Sequence, residues 1–231
     1  MSLREGDFVL VEYSVYVKET NELIETTNES EAKEKGVYRE GEVYKPKLVV
    51  IGEGRYLKSF EEALAASEIG VEKELVLEPS KAYGERDPNK IKIFTLRELA
   101  RQNIVPEVGK VIEIGNSIGV VRSISGGRVV VDFNHPLAGK TLVFKYKIIK
   151  KIEDDAEKIK QLILRRVRRL SEDKINVRII REEARVEIDT PEEILYAEDL
   201  QITKSLISGE IFRFINGIKH VVFLDHFFKK E

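Results

Sequence analysis

The chain has no cysteine and no tryptophan, and its 231 residues include a single methionine, three histidines and six prolines. Without cysteine there is no disulfide, no thiol nucleophile and no thiolate metal site. No apolar run approaches the roughly 18 residues that a membrane-spanning helix needs. The first residues are charged and carry no secretory pattern, so a cytoplasmic protein is expected. A dominant sign of charge is also missing: 39 Lys and Arg face 41 Asp and Glu, a net of -2. Nothing global therefore attracts nucleic acid or an anionic membrane. What is abundant is charge of both signs, 35% of residues, beside 42% hydrophobic residues. That apolar content suits one large domain or two to three small ones. Many Lys, Glu and Arg with few thermolabile side chains lean toward a heat-adapted source.

The first half reads mainly as strands. Residues 7–17 alternate, with Phe8, Val9, Val11, Tyr13, Val15 and Val17 as the apolar set, the period of a half-buried strand. A turn at residues 20–22 leads to a second strand at Leu23 and Ile24. Residues 28–42, charged and glycine-containing, are expected to form a loop. Residues 47–52 and 72–78 read as strands. Between them lies G-R-Y-L-K-S-F-E-E-A-L, beginning at Gly54.

Two turn-rich stretches then bracket a distinct segment: P-S-K-A-Y-G-E-R-D-P at residues 79–88, and D-F-N-H-P-L-A-G-K-T-L-V-F at residues 132–144. The second runs into a β-branched and aromatic strand ending near Ile149. The enclosed residues 87–133 form an insert with a strand at 91–94. Thr95 and Glu98 have capping-box spacing for a helix that places Leu96, Leu99 and Ala100 on one face and breaks at Pro106 and Gly109. Three further strands are expected, at 111–114, 118–124 and 128–133, turning at Asn116-Ser117 and Gly126-Gly127. Most insert aliphatics are read as core, although a groove among them could hold an unfolded chain.

From residue 154 the pattern changes to α-β-β-α-β. Asp154 can cap a helix over 156–170 with Ile159, Ile163, Val167 and Leu170 on one stripe. Residues 175–180 and 184–188 pair as a hairpin. Thr190, Pro191 and Glu193 suggest a capping box and a helix carrying Leu200, Ile207, Ile211 and Phe214, closed at Asn216-Gly217. A strand over 221–228 ends the chain. Arg165, Arg166, Arg168 and Arg169 are read as the solvated face of the first of these helices, so contact with nucleic acid or ribosome is not expected. The cluster of Phe212, Phe214, Phe223, Phe227 and Phe228 exceeds what a unit of this size needs for its own core.

The opening hairpin, A-Y-G and the following N-H-P-L-A-G…L-V-F, in this strand order, resemble the FKBP-type peptidyl-prolyl isomerases. The likeness is to the SlyD-like branch, in its long archaeal form with an insert-in-flap domain. It implies an α+β fold: an FKBP antiparallel sheet with a short helix (residues 1–86 and 134–153), a β-rich insert (87–133) and a C-terminal α/β domain (154–231). It also implies prolyl isomerisation with chaperone activity on unfolded or nascent chains containing X–Pro, and no cofactor. The C-terminal part is assigned to client binding or homodimerisation.

Rotation about an X–Pro amide breaks no covalent bond, so the reaction calls for neither nucleophile nor metal. It calls for an apolar pocket that strips water from the planar, more polar ground state. By resemblance, the pocket residues are Tyr13, Ile24, Phe60, Tyr83 and Phe144, with Tyr83 as hydroxyl donor and the Leu57 N–H as backbone donor. Glu25 and Tyr56 are expected to touch substrate. The chain departs from the family in having Glu25 for Asp, Phe60 where Trp is common, and no aromatic just after Pro46. The family's metal-binding tail is not matched either: the chain ends F-F-K-K-E, with only His135, His220 and His226 available. No metal is expected. The alternative is a non-catalytic holding chaperone on the same scaffold.

Overall fold

The computed structural model describes residues 3–227 and 229 of the chain. β1 (Phe8–Val17) and β2 (Glu22–Thr26) form where the alternation places them, joined by a turn with Asn21 at φ 54°. The next stretch is a correction, because α1 (Glu29–Glu34) stands where a loop was expected. The Asn28 side chain caps it by accepting from the Glu31 N–H at 3.0 Å. The Glu31 carboxylate then accepts from the hydroxyls of Ser14, Tyr16 and Thr26, and Ala32 is fully buried. Burial and the Glu31 charge push the Tyr16 hydroxyl up to about 12. These tertiary ties, rather than helix propensity, hold six residues helical.

β3 (Lys47–Val50), α2 (Lys58–Ala65) and β4 (Glu72–Leu77) follow. The insert contributes β5 (Ile91–Thr95), α3 (Leu96–Arg101), β6 (Val111–Ile114), β7 (Ser117–Ser125) and β8 (Arg128–Asp132). β9 (Leu142–Ile152) returns the chain, and α4 (Asp155–Arg166), β10 (Val177–Ile180), β11 (Arg185–Asp189), α5 (Leu200–Phe214) and β12 (His220–Leu224) complete it. The architecture is α+β, with antiparallel sheets as expected. No described helix is long and apolar enough to cross a membrane.

The structure divides into two compact units. One comprises Met1–Tyr16, Asn21–Leu75 and Val143–Glu231; the other comprises Val17–Thr20 and Val76–Leu142. The first unit carries a five-stranded sheet in the order β2-β1-β9-β4, with β3 also paired to β1. That pairing is antiparallel, from Phe8 opposite Val50 to Val11 opposite Lys47. The C-terminal residues of this unit build a three-stranded sheet, β10-β11-β12, antiparallel at the hairpin and parallel between β11 and β12.

One apolar core joins the C-terminal residues to the larger sheet. Phe8, Leu48, Val50 and Ile152 pack with Ile159, Leu162, Ile163, Val186, Ile207 and Ile211. Phe214 meets Phe8 edge-on at 5.7 Å, and Phe223 packs against the same core. Two of the five clustered phenylalanines are therefore partly buried against the core, while Phe212 and Phe227 are exposed and Phe228 lies outside the described residues. α4 stops at Arg166, short of Leu170, although Leu170 is still buried. The anticipated cap at Thr190 does not form. A single 3-10 turn at Glu192–Ile194 intervenes, and α5 begins only at Leu200. The Thr190 N–H instead donates to the Leu224 carbonyl at 2.8 Å, which keeps that residue tied to the sheet.

In the second unit the strands run β5-β8-β7-β6, all antiparallel. The capping box at Thr95 is present, with Thr95 and Glu98 bonded reciprocally. α3 closes earlier than Pro106, at Asn103 (φ 57°), where the Ile104 N–H reaches the Leu99 carbonyl at 3.0 Å. Asparagine tolerates that left-handed position and ends the helix. The β6–β7 turn is also one residue early, since Ser117 already pairs with Ile114 and Gly115 takes φ 62°. Leu99, Ile112, Val121, Val129 and Val131 form a small core. Other aliphatics expected inside it lie on the surface instead, Ile93 at 64% and Ile118 at 66% exposure. A Cβ on Gly119 would sit 2.7 Å from Val131 and 2.9 Å from Phe133. Gly119→Ala should therefore cost about 1–3 kcal/mol by overpacking. Thermal unfolding of the full chain would register it, and an unchanged profile would argue against so tight a contact.

Candidate active site

The site is assembled in the first unit from β1, β2, the segment before α2, α2 itself and β9. β1 projects Tyr13 and the first turn of α2 projects Phe60, both buried. Their ring centroids lie 5.8 Å apart in an edge arrangement. Tyr56 meets Tyr13 and Phe60, each at 6.1 Å. Phe144 stacks on Phe60 at 4.7 Å, and Tyr146 meets the same ring edge-on at 5.4 Å. Phe60 is the hub, touching four other rings. Edge-to-face contacts of this kind add to the burial of apolar area.

The structure thus brings together Tyr13, Tyr56, Phe60 and Phe144 from the sequence-based set. Tyr146 was missed, although it lies two residues beyond Phe144 and so on the same face of β9. Its hydroxyl is 3.0 Å from the Ser67 hydroxyl, which anchors the end of α2. Ile24 is half-buried on β2. Leu57 is the residue that precedes α2, so its N–H lies outside the helix's own hydrogen-bond ladder.

Polar groups sit around the rings. The Tyr13 hydroxyl donates to Glu25 Oε1 at 2.6 Å, and Lys47 Nζ donates to the same oxygen at 2.9 Å. Lys47 was not foreseen, and its position opposite Val11 on β3 explains its reach. Burial opposes ionisation of Glu25, but the Tyr13 hydroxyl and the Lys47 ammonium hold its carboxyl below the usual range. Burial and the Glu25 charge raise Tyr13, which therefore stays a phenol and a donor. Tyr56 is raised for the same two reasons.

Glu61 is the third residue, after Tyr146 and Lys47, that sequence alone did not reveal. Its buried carboxylate accepts the N–H groups of Gly52 (3.0 Å), Gly54 (3.2 Å) and Tyr56 (3.0 Å). This clamp shapes the turn that carries Tyr56 and Leu57, with Gly52 and Gly54 at φ 79° and 76°. One of two adjacent glutamates, Glu61 and Glu62, in a helix gives no sequence signal for such a role.

Tyr83 belongs to the second unit, where its ring stacks on His135 at 4.1 Å with the planes 2° apart. The His135 Nδ1 accepts from the Leu137 N–H at 3.1 Å, as a turn residue would. Nearby, the two chain segments that bound the insert are laced together. Asn134 accepts from the Asp87 N–H and donates to the Asp87 carbonyl, both at 2.9 Å. The Gly139 N–H donates to the Gly84 carbonyl at 2.9 Å.

Three family models match the chain in sequence order. That described as FKBP-type peptidyl-prolyl cis-trans isomerase matches residues 1–100, that of the FKBP26 IF domain residues 92–137, and that of the FKBP26 C-terminal region residues 155–228. Among curated proteins, a short-type peptidyl-prolyl cis-trans isomerase of Methanocaldococcus jannaschii is 33% identical over 146 residues, 63% of this chain and 92% of that protein. An FKBP-type 16 kDa peptidyl-prolyl cis-trans isomerase of Escherichia coli is 34% identical over 110 residues, 46% of this chain and 73% of its own length. The SlyD isomerase of Helicobacter pylori is 30% identical over 115 residues, 45% and 58% of the two chains. With isomerase, insert and C-terminal matches all in place, the chain belongs to the FKBP-type peptidyl-prolyl cis-trans isomerases.

Proposed function

We propose that this isomerase turns X–Pro bonds in unfolded or partly folded polypeptides against the Tyr13–Tyr56–Phe60–Phe144 cluster, and that it also holds such chains as a chaperone. The observation that carries the pocket reading is the continuous set of ring contacts centred on Phe60. An apolar wall removes water from the prolyl amide, and the planar ground state, with its larger charge separation, loses more than the twisted transition state. The Leu57 N–H is assigned to a substrate carbonyl, and Ile24 completes the wall. Glu25, tied up by Tyr13 and Lys47, tunes the rim rather than acting as an acid or base. Tyr83 enters this proposal on the A-Y-G motif alone.

The holding role is supported by surface aliphatics of the insert, among them Ile93, Val105, Val111 and Ile118. Exposed apolar groups of this kind, where they adjoin, form a contact face for other chains. The clients are nascent or unfolded polypeptides. The exposed Phe212 and Phe227 support a homodimer through the C-terminal residues. The absence of cysteine fits a reducing, cytoplasmic setting, and the Methanocaldococcus relative fits an archaeal one.

Refolding of a protein limited by one X–Pro bond tests both roles. The uncatalysed step takes tens to hundreds of seconds, so acceleration is easy to follow. The full chain should accelerate it, Tyr83→Ala should slow that catalysis, and replacing residues 87–132 by a short loop should weaken it on a protein substrate. Suppressed aggregation without acceleration would leave a holding chaperone and remove the pocket reading.

A further inference from the structure

The turn that carries Tyr56 and Leu57 is held at two levels. Glu61 grips its backbone, as described above. Its side chains are gripped from the C-terminal residues of the same unit. Glu53 accepts a two-pronged bond from Arg165, at 2.8 and 3.0 Å. Arg165 also reaches Glu210 on α5, its Nε at 3.1 Å and its Nη2 at 2.9 Å. Arg166 pairs with the same Glu210, and Arg55 lies 3.9 Å from it.

This cluster is not the solvated basic face that the run of arginines suggested. The Arg165, Glu53 and Glu210 side chains are only 7%, 9% and 11% exposed. A forked guanidinium–carboxylate pair fixes direction as well as distance. Glu53 and Arg55 stand three residues and one residue before Tyr56, so fixing them restricts where the Tyr56 ring and the Leu57 N–H point.

We propose that Arg165 and Glu210 are positioning residues for the isomerase reaction: through Glu53 and Arg55 they hold the turn that presents Tyr56 and the Leu57 N–H to the prolyl amide. This rests on the aromatic-pocket reading and adds to it a catalytic role for the C-terminal residues. A loosened turn still admits substrate, because the buried rings remain. It loses the alignment that distinguishes the twisted amide from the planar one, so the effect falls on kcat more than on KM.

The experiment uses the full chain and a proline-containing tetrapeptide, with kcat and KM determined separately. The variants are Glu53→Gln, Arg165→Gln, Arg165→Lys and the double Glu53→Gln/Arg165→Gln, with Tyr56→Ala as a control on the pocket itself. Removing one member of a buried pair strands the other charge and can destabilise the fold. The double variant leaves two neutral amides and keeps Glu210 paired with Arg166, and its Tm is compared with the assay temperature. In the folded double variant kcat should fall about tenfold with KM within about twofold. The single Gln variants should each lose nearly as much as the double, the signature of one coupled device. Arg165→Lys keeps the charge but not the fork and should behave like Arg165→Gln. Amide exchange should quicken at residues 52–57 while β1 and β9 stay protected.

An unchanged kcat in the double variant, with Tyr56→Ala impaired, overturns the positioning role and leaves the pocket standing. If Tyr56→Ala is unimpaired as well, both readings fall. A loss that only tracks the unfolded fraction, with exchange faster throughout the unit, also overturns the proposal.

Discussion

Phe60→Ala should destabilise the first unit by about 3–5 kcal/mol, the usual cost of truncating a fully buried phenylalanine. The residue has no exposed surface and touches Tyr13, Tyr56, Phe144 and Tyr146 at once. Its removal leaves a void beneath the Tyr13, Tyr56 and Phe144 rings, with no flexible neighbour among them to refill it. Below the new Tm, kcat/KM toward a prolyl peptide should drop tenfold or more, corresponding to about 1.4 kcal/mol of transition-state stabilisation per decade. Phe60→Leu, which keeps apolar volume but not the ring contacts, should recover much of the stability and less of the activity. Calorimetry and an isomer-specific peptide assay check the two halves separately. A folded Phe60→Ala chain with wild-type kcat/KM would falsify the assignment of these rings to the active site.

The second large effect is expected at Asp132, whose side chain is 1% exposed. It ends β8 next to the β-bulge at Arg122, where β7 carries one residue more than its partner. A bulge re-aims the extra side chain, and Arg122 accordingly reaches Asp132 Oδ2 at 3.1 and 3.2 Å. Arg86 donates to the same oxygen at 2.6 Å. The other oxygen accepts from Asn134, its backbone N–H at 3.0 Å and its side-chain amide at 2.8 Å. One carboxylate therefore joins the strand that leaves the insert to the segment that enters it. Asp132→Ala should cost about 3 kcal/mol, the low end for breaking a buried pair, since both arginines remain half-exposed.

The pH dependence of this term follows from its direction. Burial opposes the charge on Asp132, but the bonds from Asn134, Arg122 and Arg86 prevail and hold its carboxyl below the usual range. A depressed folded pKa stabilises the fold above the unfolded value near 3.9 and loses that contribution as pH falls through the folded one. The gap between wild type and Asp132→Ala should thus be full at neutral pH and close below about pH 4. Amide exchange in β5 and β8 is the local readout. A constant gap down to pH 2 would show that the variant acts by lost packing and not through the charge.

Much of this architecture could be read from the residues because local rules and tertiary structure agree there. The capping box at Thr95, the alternation of β1 and the Gly126-Gly127 turn each specify a conformation that the rest of the chain accepts. Where they disagree, long-range hydrogen bonds prevail. Residues 29–34 look like a polar loop, yet Glu31 finds three hydroxyls on neighbouring strands and the segment turns helical. Thr190 looks like a helix cap, yet its N–H is taken by Leu224 and the helix starts ten residues later. In the site, the family resemblance marks Tyr13, Tyr56, Phe60 and Phe144, which their residue types alone do not separate from ordinary core positions. Glu61 gives no signal because its partners are backbone N–H groups, those of residues 52, 54 and 56, which no side-chain pattern marks. Arg165 reads as solvated because its partner Glu53 lies more than a hundred residues away.

The core shared by β1, β3, β9 and the C-terminal helices has a consequence for how such chains can be cut and recombined. Residues 155–224 are no detachable cargo. A polypeptide shortened after β9 would turn Phe8, Leu48, Val50 and Ile152 toward water and would lose the guanidinium that holds Glu53. A chimera that borrows these helices must borrow the sheet positions they cover, because the seam runs through the interior and not through a linker.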